Sequence, residues 1–239
     1  MTGHVDPGYF DLQVRFAERY AALIGIPLHE AIGRCTNLRR RFAMVGPSGH
    51  DRWAAFLDGV QACSHHDDVL RIVMDTHDSA PTRSPSPFGC FSYDAPDAQG
   101  TLRLHFMPEE RHRCSSPLAA SSLSERRAEL QALFTDVRQR HPEVRQVRGL
   151  SWLYHVRAYR NLFPPPYAAS VAAPIGPLHL TGSSTWGQVL DYRHRLRRGI
   201  ADRVLEGLSE STVSAPWQAF PVQPLTAVCS ADHWFRWFE

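Results

Sequence analysis

Thirteen histidines and not one lysine decide which proton chemistry this chain can perform. All 26 basic residues are arginine, whose guanidinium stays charged at every relevant pH. A Schiff base on a protein lysine and the lysine of a phosphate-cradling P-loop are therefore excluded. Two histidines stand alone in short apolar runs, His105 in LRLHF and His179 in PLHL. On a strand either would offer an imidazole to a cleft as a general base. Others cluster, in Cys63-Ser64-His65-His66-Asp67-Asp68 with His77-Asp78 nearby. Imidazole and carboxylate are ligands for zinc, iron or manganese, so His65, His66, Asp67 and His77 are the metal-ligand candidates, and a metal-dependent hydrolase is the alternative enzyme. A helix ending in a polar run yields the same letters, and the leading reading carries no metal.

A second constellation is PLHLTGSSTWGQ, read as a strand, a small-residue turn and a helix. That order points backbone N–H groups and the positive end of a helix dipole at the turn. Gly182, Ser183 and Ser184 would let a phosphate or carboxylate approach the backbone, and Arg193 with Arg197 would add charge from the helix. The structural explanation of the same letters is a capping box, Thr185-x-x-Gln188. Cys114 lies beside Arg113 and near His112, a setting that lowers a thiol's pKa. No G-x-S-x-G elbow is present.

The elements that must position these groups divide the chain. Tyr9, Leu12, Phe16, Tyr20 and Leu23 fall at helical spacing until Gly25-Ile26-Pro27. Leu28 to Phe42 forms a second stripe, and Trp53, Phe56, Leu57 and Val60 a third. Residues 1–78 thus read as a helical subdomain and 79–88 (SAPTRSPSPF) as a Pro/Ser linker. Residues 89–239 read as an α/β sheet domain. There GCFSYDAPDAQGTLRLHF is a β-hairpin, and Ser122-x-x-Glu125 caps a helix to about Arg140. The fold class is α/β or α+β, an N-terminal helical subdomain followed by a mixed sheet flanked by helices. Expected after the hairpin are a short strand at Gly176–Leu180 and a long helix over Thr185–Leu208.

The charge balance, 26 basic against 24 acidic residues, is too even for a dedicated polyanion binder, so nucleic acid is not an expected partner. The start MTGHVDPGYFDLQVRF lacks a cationic and an apolar region, and no run reaches a membrane span. Five widely spaced cysteines without a CxxC pair read as free thiols in a reducing cytoplasm. The C-terminal Trp234, Phe235, Trp237 and Phe238 read as core or as a homodimer contact.

From Leu102 onward the order of features resembles the GNAT-like C-terminal domain of certain bacterial acyltransferase-like proteins. The letters that carry it are Leu104-His105-Phe106 with Pro108, Pro117-Leu118, Leu133-Phe134, His141-Pro142 and Ser151-Trp152-Leu153-Tyr154. A helical domain precedes the sheet in that group too. The resemblance implies acyl-CoA as co-substrate, a cleft to hold it, and SWLY as a strand, with His105 and Trp152 carried over as pattern positions. Gln146-Val147-Arg148-Gly149-Leu150-Ser151 is also similar to the Q/R-x-x-G-x-G/A loop with which GNAT enzymes hold a pyrophosphate, which conflicts with SWLY as a strand. The combined expectation is a cytoplasmic N-acyltransferase acting on a small amine. His105 or His179 would be the base, and Gly182, Ser183, Ser184, Arg193 and Trp152 would bind the cofactor. A non-enzymatic anion- or nucleic-acid-binding module, or an assembly module, is the alternative outside enzymes.

Overall fold

Helix α1 (Pro7–Ile24) begins where Asp6 accepts the Gly8 N–H and proline takes the first helical position, and it ends at Gly25 in a left-handed conformation. The computed structural model describes residues 5–82, 84–108 and 115–239. The second apolar stripe is not one helix but two, α2 (Leu28–Cys35) and α3 (Leu38–Arg41). The break has a local cause. The Thr36 hydroxyl donates back to Ile32 O, and the Asn37 N–H leaves the helix to donate to the buried Gln13 side chain. Helices α4 (His50–Gln61) and α5 (His66–Asp78) complete the N-terminal set.

The chain divides into two units, Met1–Arg83 with Gly176–Gln223, and Ser84–Ile175 with Pro224–Glu239. Residues 176–223 therefore belong with the N-terminal helices, not with the sheet as the boundary at 89–239 placed them. Trp186 explains this: it is fully buried, with its ring against Tyr9, Phe16 and Phe220. Gly176–Leu180 forms no strand, and the long helix expected over Thr185–Leu208 is interrupted. In its place stand α9 (Ser183–Trp186), a 3-10 turn at Gly187–Val189 and α10 (Arg198–Gly207). Between them the Asp191 carboxylate accepts the N–H groups of Arg193 and Arg195, a side-chain turn that competes with helix. The expected Thr185–Gln188 capping box is absent, because Gln188 donates to Thr185 O and Val222 O.

The core of this first unit contains a polar knot. The Tyr9 hydroxyl donates to Asn37 Oδ1, and Gln13 Oε1 accepts the Asn37 N–H, both at 2.9 Å. Arg41 lies over the Tyr9 ring, 4.9 Å from its centroid. Gln13 Nε2, Asn37 Nδ2, Arg41 Nε and Trp186 Nε1 are buried atoms with no hydrogen-bond partner among the described residues. A buried donor left unmet costs about 1–3 kcal/mol.

The second unit is built on one four-stranded sheet in the order β1 (Phe91–Asp94), β2 (Thr101–Phe106), β3 (Gln146–Ser151), β4 (Leu225–Ser230). The expected hairpin is β1–β2, antiparallel, while β2 and β3 run parallel and β3 and β4 antiparallel. Helix α6 (Leu123–Arg140) makes the crossover between the parallel strands, as two parallel neighbours require. Its Leu130, Leu133, Phe134 and Val137 bury against Leu102, Leu104, Val147 and Ala227 of the sheet. Ser122 is the residue before α6 but makes no capping bond, since its hydroxyl turns to Ser116 O. The fold is thus a mixed α/β arrangement with helices before and after the sheet.

Three further differences from expectation matter for function. Gln146–Ser151 is a strand, paired along its whole length with β4 and over Gln146–Arg148 with β2, so it is not a pyrophosphate loop. Trp152–His155 is a 3-10 turn and not a strand, because the Ser151 hydroxyl accepts the Leu153 N–H and turns the chain. The C-terminal tail supplies β4 and α11 (Ala231–Trp237), and its aromatics serve the unit's own core. Trp234 stacks on Phe134 with centroids 4.3 Å apart, leaving Trp237 the exposed member. Short α7 (Arg157–Arg160) and α8 (Pro165–Ala169) bring Tyr159 and Tyr167 into that core. No helix among the described residues is long and apolar enough to cross a membrane.

Candidate functional site

The parallel pair β2–β3 is joined only over its first half. Its rungs are Thr101↔Gln146, Leu102↔Val147 and Arg103↔Arg148. Both strands continue for three residues, Leu104–Phe106 and Gly149–Ser151, each paired only on its outer side, with β1 and β4 respectively. The sheet therefore forks at its carboxyl end. Backbone donors and acceptors on the inner edges of the fork are left to an extended chain that enters between them. Ligands of sheets with parallel strands gather at this end, outside the carboxyl termini of the strands.

Gly149 stands at the fork for a steric reason. A Cβ there would collide with the hydroxyls of Tyr154 and Tyr167, which are hydrogen-bonded to each other at 2.6 Å. Burial pushes both phenols far above their ordinary pKa, so they stay protonated and act only as hydrogen-bonding groups. Fully buried, they shape the floor of the fork without reaching its opening.

One face of the sheet is the core. The other presents His105, Arg103, Arg148, Leu150 and Val228, of which Arg103 and Arg148 are exposed and Leu150 and Val228 are about 40% and 39% exposed. His105 Nε2 lies 2.9 Å from Asp94 Oδ2, close enough for an ion pair although the N–H is not aligned as a hydrogen bond. A carboxylate in that position orients the ring and stabilises the imidazolium formed when the other nitrogen takes a proton. Arg103 and Arg148 face each other on the last rung, and neither makes an ion pair among the described residues. Like charges directly opposite repel, so this rung favours an anionic group above it.

The structure gathers His105 and Trp152 at this end of the sheet unit, since β2 and β3 finish there and Trp152 follows β3 directly. It does not gather the rest of the expected site with them. His179, Gly182, Ser183, Ser184 and Arg193 all belong to the helical unit. His179 is exposed outside any strand, and the turn at Gly182 leads into a helix of only four residues. That is too short to carry the dipole invoked for it. Ser183 and Ser184 are half-buried, and Arg193 sits in the Asp191 turn over the Tyr192 ring. Thr181, just before Gly182, does border an open cleft of about 670 Å³ lined by Arg39, Arg40, His50 and Trp53.

The metal candidates do not converge. His66 is held between two carboxylates of α1, Nε2 to Asp11 at 2.8 Å and Nδ1 to Glu18 at 2.9 Å. His65, just before α5, and Asp67, in its first turn, are exposed, while His77 packs on Phe10. Among the described residues no group of three or more His, Cys, Asp or Glu side chains is arranged to hold a metal ion. Cys114, with His112 and Arg113, lies outside the described residues.

Sequence reasoning missed Asp94, Arg103 and the tyrosine pair. Strand alternation through the hairpin was the available signal for Asp94, because the register that pairs Asp94 with Arg103 puts His105 one diagonal step away. No protein-family model, curated protein or solved structure matches the chain.

Proposed function

We propose that this chain is a GNAT-like N-acyltransferase that moves an acyl group from a coenzyme A thioester to a small amine. The fork between β2 and β3 carries the reading. An acyl-CoA ends in an extended arm bearing two amides, and the inner edges of Leu104–Phe106 and Gly149–Ser151 offer the backbone groups such an arm needs. The Arg103–Arg148 rung favours the negative charge that comes with the same molecule or with its acceptor.

In this reading the amine nitrogen attacks the thioester carbonyl carbon, and backbone N–H groups of the fork steady the oxyanion. His105, oriented by Asp94, takes the ammonium proton. The C–S bond then breaks, and the departing thiolate is protonated to free coenzyme A. His179 is not drawn into this site, because it belongs to the other unit. The free thiols Cys35, Cys63, Cys90 and Cys229 fit a reducing, cytoplasmic setting, and the exposed Trp237 is the residue around which a homodimer would form.

Titration with acetyl-CoA, followed by thermal unfolding, tests the reading. A saturable rise in Tm, with thiol release on adding a panel of small amines, is expected. A flat Tm together with no thiol release would overturn it. A second reading, a non-enzymatic anion-binding module, is favoured by the Arg39–Arg40–His50 cleft of the helical unit. Retention on heparin that falls steeply with salt, in a protein indifferent to acetyl-CoA, would select it.

A further inference from the structure

The open cleft of about 670 Å³ in the helical unit is lined by two arginines, Arg39 and Arg40, that form no ion pair among the described residues. Both lie on α3, while His50 and Trp53 come from α4 and residues 42–49 join the two helices.

Arg39 is held in place before any ligand arrives. Its Nε donates to Met44 O at 3.0 Å, and its own carbonyl accepts the Met44 N–H at 2.9 Å. The guanidinium lies over the Trp53 ring, 5.9 Å from the centroid. A carbonyl and a ring face fix the group without neutralising its charge, and the two terminal NH2 groups stay available. The loop is as constrained as the side chain. Ala43 and Gly46 stand at φ 53° and 90°, and a Cβ on Gly49 would lie 2.4 Å from the Met44 backbone. A guanidinium so fixed loses little further rotamer freedom on binding.

Arg40 follows on the same helix, with its side chain exposed. Two such forks on one cleft suit the oxygens of a phosphate, which accept paired N–H groups. Asp51, in the first turn of α4, also lines the cleft and pairs with neither arginine. Its charge repels a bare anion, but it accepts a proton from a ligand that carries a hydroxyl or an ammonium as well. Val45, 52% exposed, and Pro47 supply an apolar wall for the body of such a ligand. The volume is that of a small-molecule pocket, roughly 300–1,000 Å³.

We infer that this cleft binds a small phosphomonoester that also carries a hydrogen-bond donor, with its phosphate on Arg39 and Arg40 and its hydroxyl or ammonium on Asp51. The inference rests on the anion-binding reading of the cleft and narrows it from a polyanion to a small molecule. It is separate from acyl transfer, because every residue it uses belongs to the helical unit.

Isothermal titration calorimetry of the full-length protein at fixed salt tests it, with phosphoethanolamine, glycerol 3-phosphate, ethyl phosphate and inorganic phosphate. Saturable binding of the first two is expected, about tenfold or more tighter than of ethyl phosphate, as one hydrogen bond to a charged group provides. A preference for phosphoethanolamine assigns an ammonium to the Asp51 end, and a preference for glycerol 3-phosphate a hydroxyl. Arg40→Gln should weaken both by about tenfold or more. Arg52→Gln removes an exposed arginine of α4 outside the cleft and should change neither by more than about twofold. Asp51→Asn should weaken phosphoethanolamine and strengthen ethyl phosphate. No saturable heat with the first two compounds, equal affinity for ethyl phosphate, or equal losses in Arg40→Gln and Arg52→Gln overturns the inference. Heparin retention by a protein that binds none of the four overturns it while the polyanion reading stands, and loss of both removes that reading too.

Discussion

His105 on β2 and Asp94 on β1 face each other diagonally across an antiparallel rung, imidazole Nε2 to carboxylate Oδ2 at 2.9 Å, at the end of the sheet where β2 and β3 part. The pair is placed to work as a base, with the acid behind it and the open face of the sheet in front. Replacing His105 with Ala is expected to lower kcat/KM for acyl transfer by about 10²–10⁴-fold, the usual worth of a positioned base. The rise in Tm with acetyl-CoA should survive, because in the proposed reading the fork's backbone does the binding. Asp94→Asn should cost less, since the ring stays on its strand and loses only the carboxylate that orients it. Steady-state rates across pH, with binding measured separately, check all three outcomes. Loss of acetyl-CoA binding in His105→Ala would mean the residue is structural.

The fork depends on Gly149 having no side chain. Gly149→Ala drives a methyl group into the Tyr154 and Tyr167 hydroxyls and should destabilise the protein by about 1–3 kcal/mol. Removing both hydroxyls, with Tyr154→Phe and Tyr167→Phe, takes away a donor and its acceptor together and is close to neutral by itself. The triple variant should then recover most of the loss. Urea denaturation of the four proteins measures this. A triple variant as unstable as Gly149→Ala alone would show that the hydroxyls are not the obstruction.

The hairpin, α6 and the helical character of the first third were legible because each rests on local periodicity: alternation in LRLHF, and a stripe of Leu130, Leu133, Phe134 and Val137. Where a side chain outbid the backbone, periodicity misled. Asp191 turns a stretch with helical letters, and Asn37 gives its N–H to Gln13 and splits another. Long-range assignments were not legible. Nothing local in GSSTWGQ says that Trp186 will sit beside Tyr9 and Phe16, more than a hundred and fifty residues away, and that contact decides which unit the segment joins. His105 could be singled out as a residue type, but its partner Asp94 comes from strand register, and the fork comes from where a ladder stops.

Arg126 was not expected in the interior, yet it is fully buried on α6. Its guanidinium meets Glu129 at 2.7 Å, and the other Glu129 oxygen accepts the Cys90 N–H at the start of β1. Arg126 also meets Glu125 at 2.8 Å, so Glu129→Leu leaves the guanidinium one carboxylate but removes another and the acceptor of the Cys90 N–H, and should cost about 1–3 kcal/mol. Arg126→Met with Glu129→Leu removes both charges and should be less harmful than the single change. Denaturant midpoints compare them, and equal losses for the single and double variants would show that the charges are not coupled.

His66 ties α5 to α1 only when its ring is doubly protonated, because both nitrogens face carboxylates, Asp11 and Glu18. Partial burial pulls its pKa down, but the hydrogen bonds and charges of Glu18 and Asp11 outweigh it and hold the pKa above the ordinary 6.5. The folded chain thus keeps a proton that the unfolded chain has already released. The stabilisation is complete below about pH 6.5 and is lost as pH rises through the raised folded-state value. Arg15, paired with Asp11 at 2.9 Å, competes for the same carboxylate and keeps its charge throughout. Stability should therefore fall in the wild type as pH rises above about 6.5 and through the raised folded-state value. His66→Gln should show a shallower fall and, near pH 6, be the weaker protein by about 1–2 kcal/mol, the worth of hydrogen bonds to a charged group at a half-exposed site. Chemical denaturation at fixed salt over that range tests it, and parallel curves for the two proteins would remove His66 as the group responsible.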